Sequence, residues 1–352
     1  MPKWIALVTD QHFGARSNSQ IFLDYFMKFY DNVFFPALEE YGVEEIIDLG
    51  DTFDRRKSVD FYILNQVKER YYDKLLNKNI KIHSIVGNHT AYYKNTNNVN
   101  TLDLLLSDYE NVVVYREPTK TKVNGHEVLL IPWINEENKA DTFKLLRNKE
   151  RYCFGHLEIN GFEMYSGYAH ADGEFNSTLF SRIENVYSGH FHHRSKKGNI
   201  MYLGNPYHIT WNDFGDQRGF HMLDLETSEL VFIENPYTMF QRIEYSDRVI
   251  KLDKEHFKNT YVKVIVREKS SASKFEKFIK QLSDASPLDI TIVEDDKSYD
   301  AEGEDFDIEE ENIYDLCKNA VKKYTVENNI TYGDKIELKV MQLLKEAELE
   351  NV

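Results

Sequence analysis

Trp4-Ile5-Ala6-Leu7-Val8-Thr9-Asp10-Gln11-His12 is a short apolar run that ends in two side chains able to bind a cation. The run from Trp4 to Thr9 reads as a first strand, and in extended backbone residues i and i+2 project to one face, so Asp10 and His12 can grip one ion together. Taken alone, Asp-x-His is an ordinary turn. The pattern recurs outward along the chain. Gly50-Asp51-Thr52-Phe53-Asp54 follows the apolar run Glu45 to Leu49, and Gly87-Asn88-His89 follows Ile80 to Val86. Gly155-His156 closes the run from Tyr152, and Gly189-His190-Phe191-His192 closes the one from Val186, repeating the i, i+2 spacing with two imidazoles. Each piece has a bland reading as turn chemistry or a satisfied histidine. Together they place Asp, His, Asp, Asn, His, His and His at strand ends, where the loops of open α/β sheets converge on ligands. The joint reading is a two-metal site.

Between the first strands, Ser19 to Tyr41 and Val59 to Asn79 carry helical apolar spacing; Phe22, Phe26, Phe29 and Val33 fall three or four apart. Strand–helix alternation of this kind predicts parallel βαβ units. Further strand-like runs cover Glu127 to Pro132, Ile200 to Leu203, Gly219 to Leu225 and Leu230 to Glu234, as in an antiparallel or mixed second sheet. After Asp247, Tyr261 to Arg267 and Leu288 to Val293 read as strands around a helix at Lys274 to Leu282. Residues 295–312 hold ten carboxylates against Lys297, and helical patterns follow from Ile313 to Val326 and from Ile336 to Leu349. The expected domains are thus 1–246, 247–294, a linker at 295–312 and a helical tail at 313–352.

The chain has 352 residues, 41% of them hydrophobic and 14% aromatic, enough for a sizeable core and against wholesale disorder. No apolar run reaches the about 18 residues of a membrane span, and the start lacks a signal-peptide pattern. The two cysteines, Cys153 and Cys317, are far apart and exclude a disulfide scaffold, so a cytoplasmic location is expected. The net charge of −16 argues at first against nucleic acid, but residues 295–312 alone carry −9 of it.

Asp-x-His, Gly-Asp-x-x-Asp, Gly-Asn-His, a lone Gly-His and Gly-His-x-His, in that order, resemble the signature of the calcineurin-like metallophosphoesterases. The likeness covers roughly residues 1–235. Within that superfamily the chain is most similar to SbcD and the nuclease subunits of double-strand-break repair complexes, and closest to the recombination endonucleases of T-even-like bacteriophages. Ile85-Val86-Gly87-Asn88-His89, Ile131 to Asn138, Gly155 to Phe162 and Arg218-Gly219-Phe220 add to the match.

The resemblance implies an α/β four-layer α-β-β-α sandwich with a small α/β capping domain for DNA and C-terminal helices that bind an ATPase. It implies one ion on Asp10, His12, Asp51 and His192 and a second on Asp51, Asn88, His156 and His190, with Asp51 shared. Mixed imidazole, carboxylate and amide donors suit manganese, with iron or zinc as alternatives. His89 would stabilise or protonate the leaving oxygen. Relatives carry an acidic residue after that histidine, whereas this chain has Thr90, which leaves the group orienting His89 open; Asp54 is a candidate. Arg55 and Arg56, and the loop with Asn205, Tyr207 and His208, are expected to contact DNA.

The implied function is a metal-dependent DNA exonuclease and endonuclease acting beside an SMC-like ABC ATPase of the SbcC type, as a homodimer within a heterotetramer. A phage origin would place it in the host bacterial cytoplasm. A small-molecule phosphodiesterase or phosphatase on the same scaffold is the alternative. Phosphoprotein phosphatases carry Gly after the Asp-Arg pair and Glu after Gly-Asn-His, where this chain has Arg56 and Thr90. A non-catalytic DNA tether would be marked by lost ligands, and all seven are present.

Overall fold

A computed structural model describes residues 3–165, 168–169, 175–247, 252–294 and 339–340. The chain divides into two compact units, Met1–Ala301 and Glu302–Val352. The acidic stretch at 295–312, Cys317 and the terminal helical patterns lie outside the described residues, save Lys339 and Val340 in a helical turn.

The strands run in chain order as follows. β1 (Trp4–Val8), β2 (Glu45–Asp48) and β3 (Lys81–Ile85) are followed by a hairpin of β4 (Ala91–Tyr93) and β5 (Thr96–Asn100), then by β6 (Val112–Tyr115). Next come β7 (Thr119–Val123), β8 (His126–Ile131), β9 (Glu150–His156), the short pair β10 (Glu163–Tyr165) and β11 (Tyr168–Ala169), and β12 (Ile183–Gly189). β13 (Ser195–Lys197), β14 (Ile200–Tyr202), β15 (Gly219–Asp224) and β16 (Leu230–Glu234) complete the two main sheets. Their orders are β16-β15-β1-β2-β3-β6 and β13-β14-β12-β9-β8-β7. β1, β2, β3 and β6 are mutually parallel, as are β8, β9, β12 and β14.

Two-residue alternation along the strands builds the layers. Ile5 and Leu7 of β1, with Ile47 and Ile85, point between the sheets and meet Val128, Leu130, Tyr152 and Phe154. Ala6 and Val8 point the other way, into a core with Phe22, Phe26, Phe29 and Tyr71 of the helices between β1 and β3. On the outer face of the second sheet Leu129, Cys153 and Val186 pack with Leu146 and Phe180. The result is the expected four-layer α-β-β-α sandwich.

The helical segment after β1 is interrupted: Gln20–Phe29 passes through a π turn at Tyr30–Phe34 into Phe35–Tyr41. The wider turn accommodates one extra residue, so the apolar stripe slips and Phe34, rather than Val33, is fully buried. The segment after β2 repeats the device, with Phe61–Val67, a π turn at Lys68–Tyr72 and Asp73–Asn77. Asp60 caps it, accepting from the amides of Tyr62 at 2.9 Å and Ile63 at 3.1 Å, which is why it starts at Phe61 rather than Val59.

Two expectations need correction. β15 and β16 do not join the second sheet; β15 pairs antiparallel with β1 and extends the first. The small α/β unit is a parallel sheet of β17 (Phe240–Tyr245), β18 (Tyr261–Val266) and β19 (Asp289–Glu294), so it draws its first strand from before residue 247. Its core is Tyr245, Val262 and Val264 against Phe275, Phe278 and Leu282 of the helix Ala272–Ser283.

Candidate metal centre

All seven predicted ligands lie just beyond, or in the last residue of, β1, β2, β3, β9 and β12, on the carboxyl ends of parallel strands from both sheets. Backbone bonds clip the loops together: the Asp10 amide donates to the Gly50 carbonyl at 2.9 Å, and the His12 amide to the Asp51 carbonyl at 2.9 Å. The geometry at Asp10 and His12 is not the extended one the spacing predicts. β1 ends at Val8, and Asp10 (φ 51°), His12 (φ 43°), Asp51 (φ 52°) and His190 (φ 89°) all adopt left-handed backbone. Non-glycine residues rarely sit there, and four such positions in one cluster mark a place where conformation is imposed by the surrounding packing.

The predicted ligands form two groups, and a third cluster joins His12 to Asp54 and His89. In one, Asp10, His12 and His192 bring their ligand atoms within 4.8 Å of one another. His12 Nε2 lies 3.1 Å from His192 Nε2, which is 4.0 Å from Asp10 Oδ1. In the other, Asp51, His156 and His190 converge in the same way. His156 Nε2 is 3.1 Å from Asp51 Oδ2 and 2.9 Å from Asn88 Oδ1, and His190 Nδ1 is 3.1 Å from that same amide oxygen. Several donors are fixed from behind. His156 Nδ1 donates to the Leu49 carbonyl at 2.8 Å, leaving the Nε2 lone pair aimed inward. Asp10 accepts from the Thr9 hydroxyl at 2.7 Å and from the His190 amide, and Asp51 Oδ1 accepts from the His89 amide at 2.8 Å.

Two glycines are dictated by this packing. A Cβ on Gly87 would fall 2.1 Å from Asp51 Oδ1, and one on Gly189 would fall 1.9 Å from the Thr9 hydroxyl. The donor set, with imidazole nitrogens, carboxylates and an amide oxygen facing one another at 3–4 Å, fits divalent cations of the manganese, iron or zinc type.

Charge at the site follows from the crowding. Burial disfavours the Asp51 carboxylate, but His156, His89 and His12 around it hold its pKa well below the ordinary carboxyl range. Burial likewise disfavours the charged forms of His12 and His156, yet Asp54 raises the first and Asp51 raises the second. His192 is lowered by burial and by its neighbour His12. Beneath the cluster Asp48, fully buried in β2, is pushed up to about 7 by desolvation, although it accepts from the Thr52 hydroxyl and the Gly50 amide.

His89 sits beside the first group, its ring centroid 4.9 Å from that of His12. Its Nδ1 donates to the backbone carbonyl of Asp54 at 2.6 Å, while the Asp54 carboxylate lies 3.2 Å from His12 Nδ1. Asp54 therefore orients both rings, His89 through its main chain. The Thr90 hydroxyl accepts from the Gly87 amide at 2.9 Å and donates to the Gly87 carbonyl at 3.1 Å, closing the turn.

The expected DNA contacts divide. Arg55 is exposed and Arg56 half-buried at the rim. Asn205, Tyr207 and His208 are only 1%, 0% and 6% exposed, so none offers a free face to a phosphate. Tyr207 stacks on Phe26 with centroids 3.7 Å apart and donates its hydroxyl to the Gln11 carbonyl, so it supports the Asp10–His12 loop from inside. Three contributors were given no site role by the sequence: Thr9, Trp133, whose ring lies 5.1 Å from that of His190, and Arg218, which donates to the His192 carbonyl. Thr9 adjoins Asp10, while Trp133 and Arg218 lie in the stretches Ile131 to Asn138 and Arg218-Gly219-Phe220 that carry the family resemblance.

The chain is 36% identical over 261 residues to exonuclease subunit 1 of Enterobacteria phage T4, an alignment spanning 72% of this chain and 76% of that protein. It belongs to the SbcD-like metallophosphoesterase family. No family model matches the sequence. Among solved structures, this SbcD-like chain is similar at 13% identity and a TM-score of 0.34 to an archaeal phosphodiesterase, over 66% of this chain and 99% of that one. It is similar at 17% identity and a TM-score of 0.31 to the nuclease MPE of Pseudomonas putida, over 62% and 83%.

Proposed function

We propose that this chain is a metal-dependent DNA exonuclease and endonuclease, the nuclease subunit of a recombination and double-strand-break repair complex. The observation that carries the reading is the pair of donor groups at the strand ends, with Asp51 held so that one oxygen is fixed by the His89 amide and the other lies at His156. One divalent ion, assigned as Mn2+ from the donor set, is held by Asp10, His12, Asp51 and His192. The second is assigned to Asp51, Asn88, His156 and His190. When bound, such cations withdraw charge from a phosphodiester and make water acidic near neutral pH.

The chain's own residues do the rest. Asp54 presents the His89 ring with Nδ1 occupied, leaving Nε2 to meet the leaving oxygen and, once protonated, to give it a proton. Arg55 and Arg56 at the rim hold the backbone phosphates. The three-stranded unit caps the DNA, the acidic residues 295–312 act as a linker, and 313–352 bind an SbcC-type SMC-like ABC ATPase. Phe61 (87% exposed), Tyr62 (50%) and Ile21 (45%), whose neighbour Gln20 donates to the Tyr62 hydroxyl, are exposed apolar side chains that suit a homodimer through the helix from Phe61. The protein acts in the cytoplasm of an infected bacterium; no helix among the described residues is long and apolar enough to cross a membrane.

The test is cleavage of an end-labelled DNA duplex with Mn2+, with a small chromogenic phosphodiester in parallel. Metal-dependent processing of the duplex supports the reading. Cleavage of the ester alone, even after the ATPase is added, would turn it toward a small-molecule phosphodiesterase.

A further inference from the structure

Arg218 is 3% exposed, yet its guanidinium spans four partners. Nη1 donates to the backbone carbonyl of His192 and to Asn205 Oδ1, while Nη2 donates to Asp213 Oδ1 at 2.8 Å and Asp216 Oδ2 at 3.1 Å. The carboxylates are themselves tied down. Asp213 accepts from the amides of Ile209 at 2.7 Å and Thr210 at 2.9 Å, and Asp216 accepts from His193 Nδ1 at 2.7 Å. The His192 carbonyl also accepts from the Asn205 amide at 3.3 Å. Gly204 (φ +74°) makes this approach possible, since a Cβ there would lie 2.8 Å from the His192 oxygen.

His190 and His192 leave β12 only two residues apart but serve different donor groups, and the two ends of this turn are held by different parts of the molecule. The His190 amide is bonded to Asp10, whereas the His192 main chain is bonded to Arg218. Burying a guanidinium costs several kcal/mol before its bonds are counted. An apolar side chain would close the loop without that cost, but it would not fix a carbonyl.

We infer that Arg218 is a positioning residue for His192, and that it controls one of the two metal positions, the one taking Asp10 and His12, while leaving the other untouched. This rests on the two-metal reading above. Arg218 is bonded to the His192 main chain and not to its ring, so it acts through the direction in which that backbone presents the ring. A lysine would keep a positive charge against Asp213 and Asp216, but one ammonium cannot reproduce the planar fork that also reaches His192 and Asn205.

The experiment is Mn2+ titration of the full chain followed by electron paramagnetic resonance, with thermal unfolding of the metal-free protein alongside. Wild type is expected to take two ions and give the exchange-coupled spectrum of a neighbouring pair. In Arg218→Lys the first ion should bind as in wild type, while the coupled signal should need roughly ten- to a hundredfold more Mn2+, the usual cost of losing a group that orients a ligand. Gly204→Ala, which presses on the same carbonyl and leaves the charges in place, should produce the same split should Arg218→Lys not fold. A coupled signal at wild-type concentrations in both variants overturns the role of Arg218 alone. So does equal weakening of both ions with a lower melting temperature, which marks general loosening. Absence of the coupled pair in wild type overturns the two-metal reading and this inference with it.

Discussion

Replacing Asp51 with Ala removes the carboxylate that converges with His156 and His190 and is proposed to be shared by both cations. Its other oxygen is fixed by a neighbouring amide, so the loss cannot be covered by a small shift. Cleavage of duplex DNA should fall at least about a thousandfold, on the scale of losing a principal charge-stabilising group, with the circular dichroism spectrum unchanged. His89→Ser should behave differently: metal content retained, turnover reduced by about 10²–10⁴, and loss of both metals would make His89 a ligand instead. Asp48 gives a pH prediction for the metal-free protein. Its pKa is raised from 3.8 to about 7 in the fold, so the folded chain holds a proton that the unfolded chain releases between about pH 4 and 7. Stability from this group is full below that window and is lost as pH rises through it. Asp48→Asn should therefore flatten the fall in melting temperature between pH 5 and 8; an unaltered slope would refute it. That the candidate donors would come together was legible at this scale, because donor residues after apolar runs and glycines are a local pattern. Their left-handed backbone was not, because it depends on loops from β1 and β2 bonding to each other. Tyr207 was expected at DNA from the resemblance, and its burial against Phe26 is likewise a long-range contact that no local pattern shows.

At the scale of elements, strand ends and glycines do most of the positioning. Gly87→Ala deletes no ligand, yet its Cβ would collide with Asp51 Oδ1. The variant should lose the second metal and most activity, which metal analysis of the purified protein would show. The two π turns bring Tyr30 and Tyr71 beneath the first metal loop, where the Tyr30 hydroxyl donates to Gln11 Oε1 at 2.5 Å. Gln11→Leu leaves that hydroxyl buried without its acceptor, at a cost of about 1–3 kcal/mol in urea unfolding. Helical spacing in the sequence correctly marked both segments but could not show the π turns, because one inserted residue changes the stripe too little to see in four apolar positions. The strand character of β15 and β16 was equally plain, while their sheet was not: antiparallel pairing with β1 joins segments more than two hundred residues apart.

For the molecule as a whole, the layers follow from the alternation in β1; the residue patterns pointed to βαβ units and a second sheet, and the resemblance implied the four-layer sandwich. What the exposed helix meets was beyond reach, since the pattern from Val59 to Asn79 did not say which face stays outside. The structure buries Tyr71 and Tyr72 and leaves Phe61 and Tyr62 in solvent. Phe61→Asp is accordingly expected to give a monomer by light scattering with ester hydrolysis intact, and an unchanged mass would exclude this patch as the dimer face. Truncation after Asp295 should spare the nuclease chemistry and weaken capture of the ATPase. The central claim is the pair of cations sharing Asp51, and anomalous scattering from crystals grown with Mn2+ tests it most directly. Two peaks are expected, one among Asp10, His12 and His192 and one among Asn88, His156 and His190, with Asp51 reaching both. A single peak, or a pair in which Asp51 contacts neither, would contradict the account.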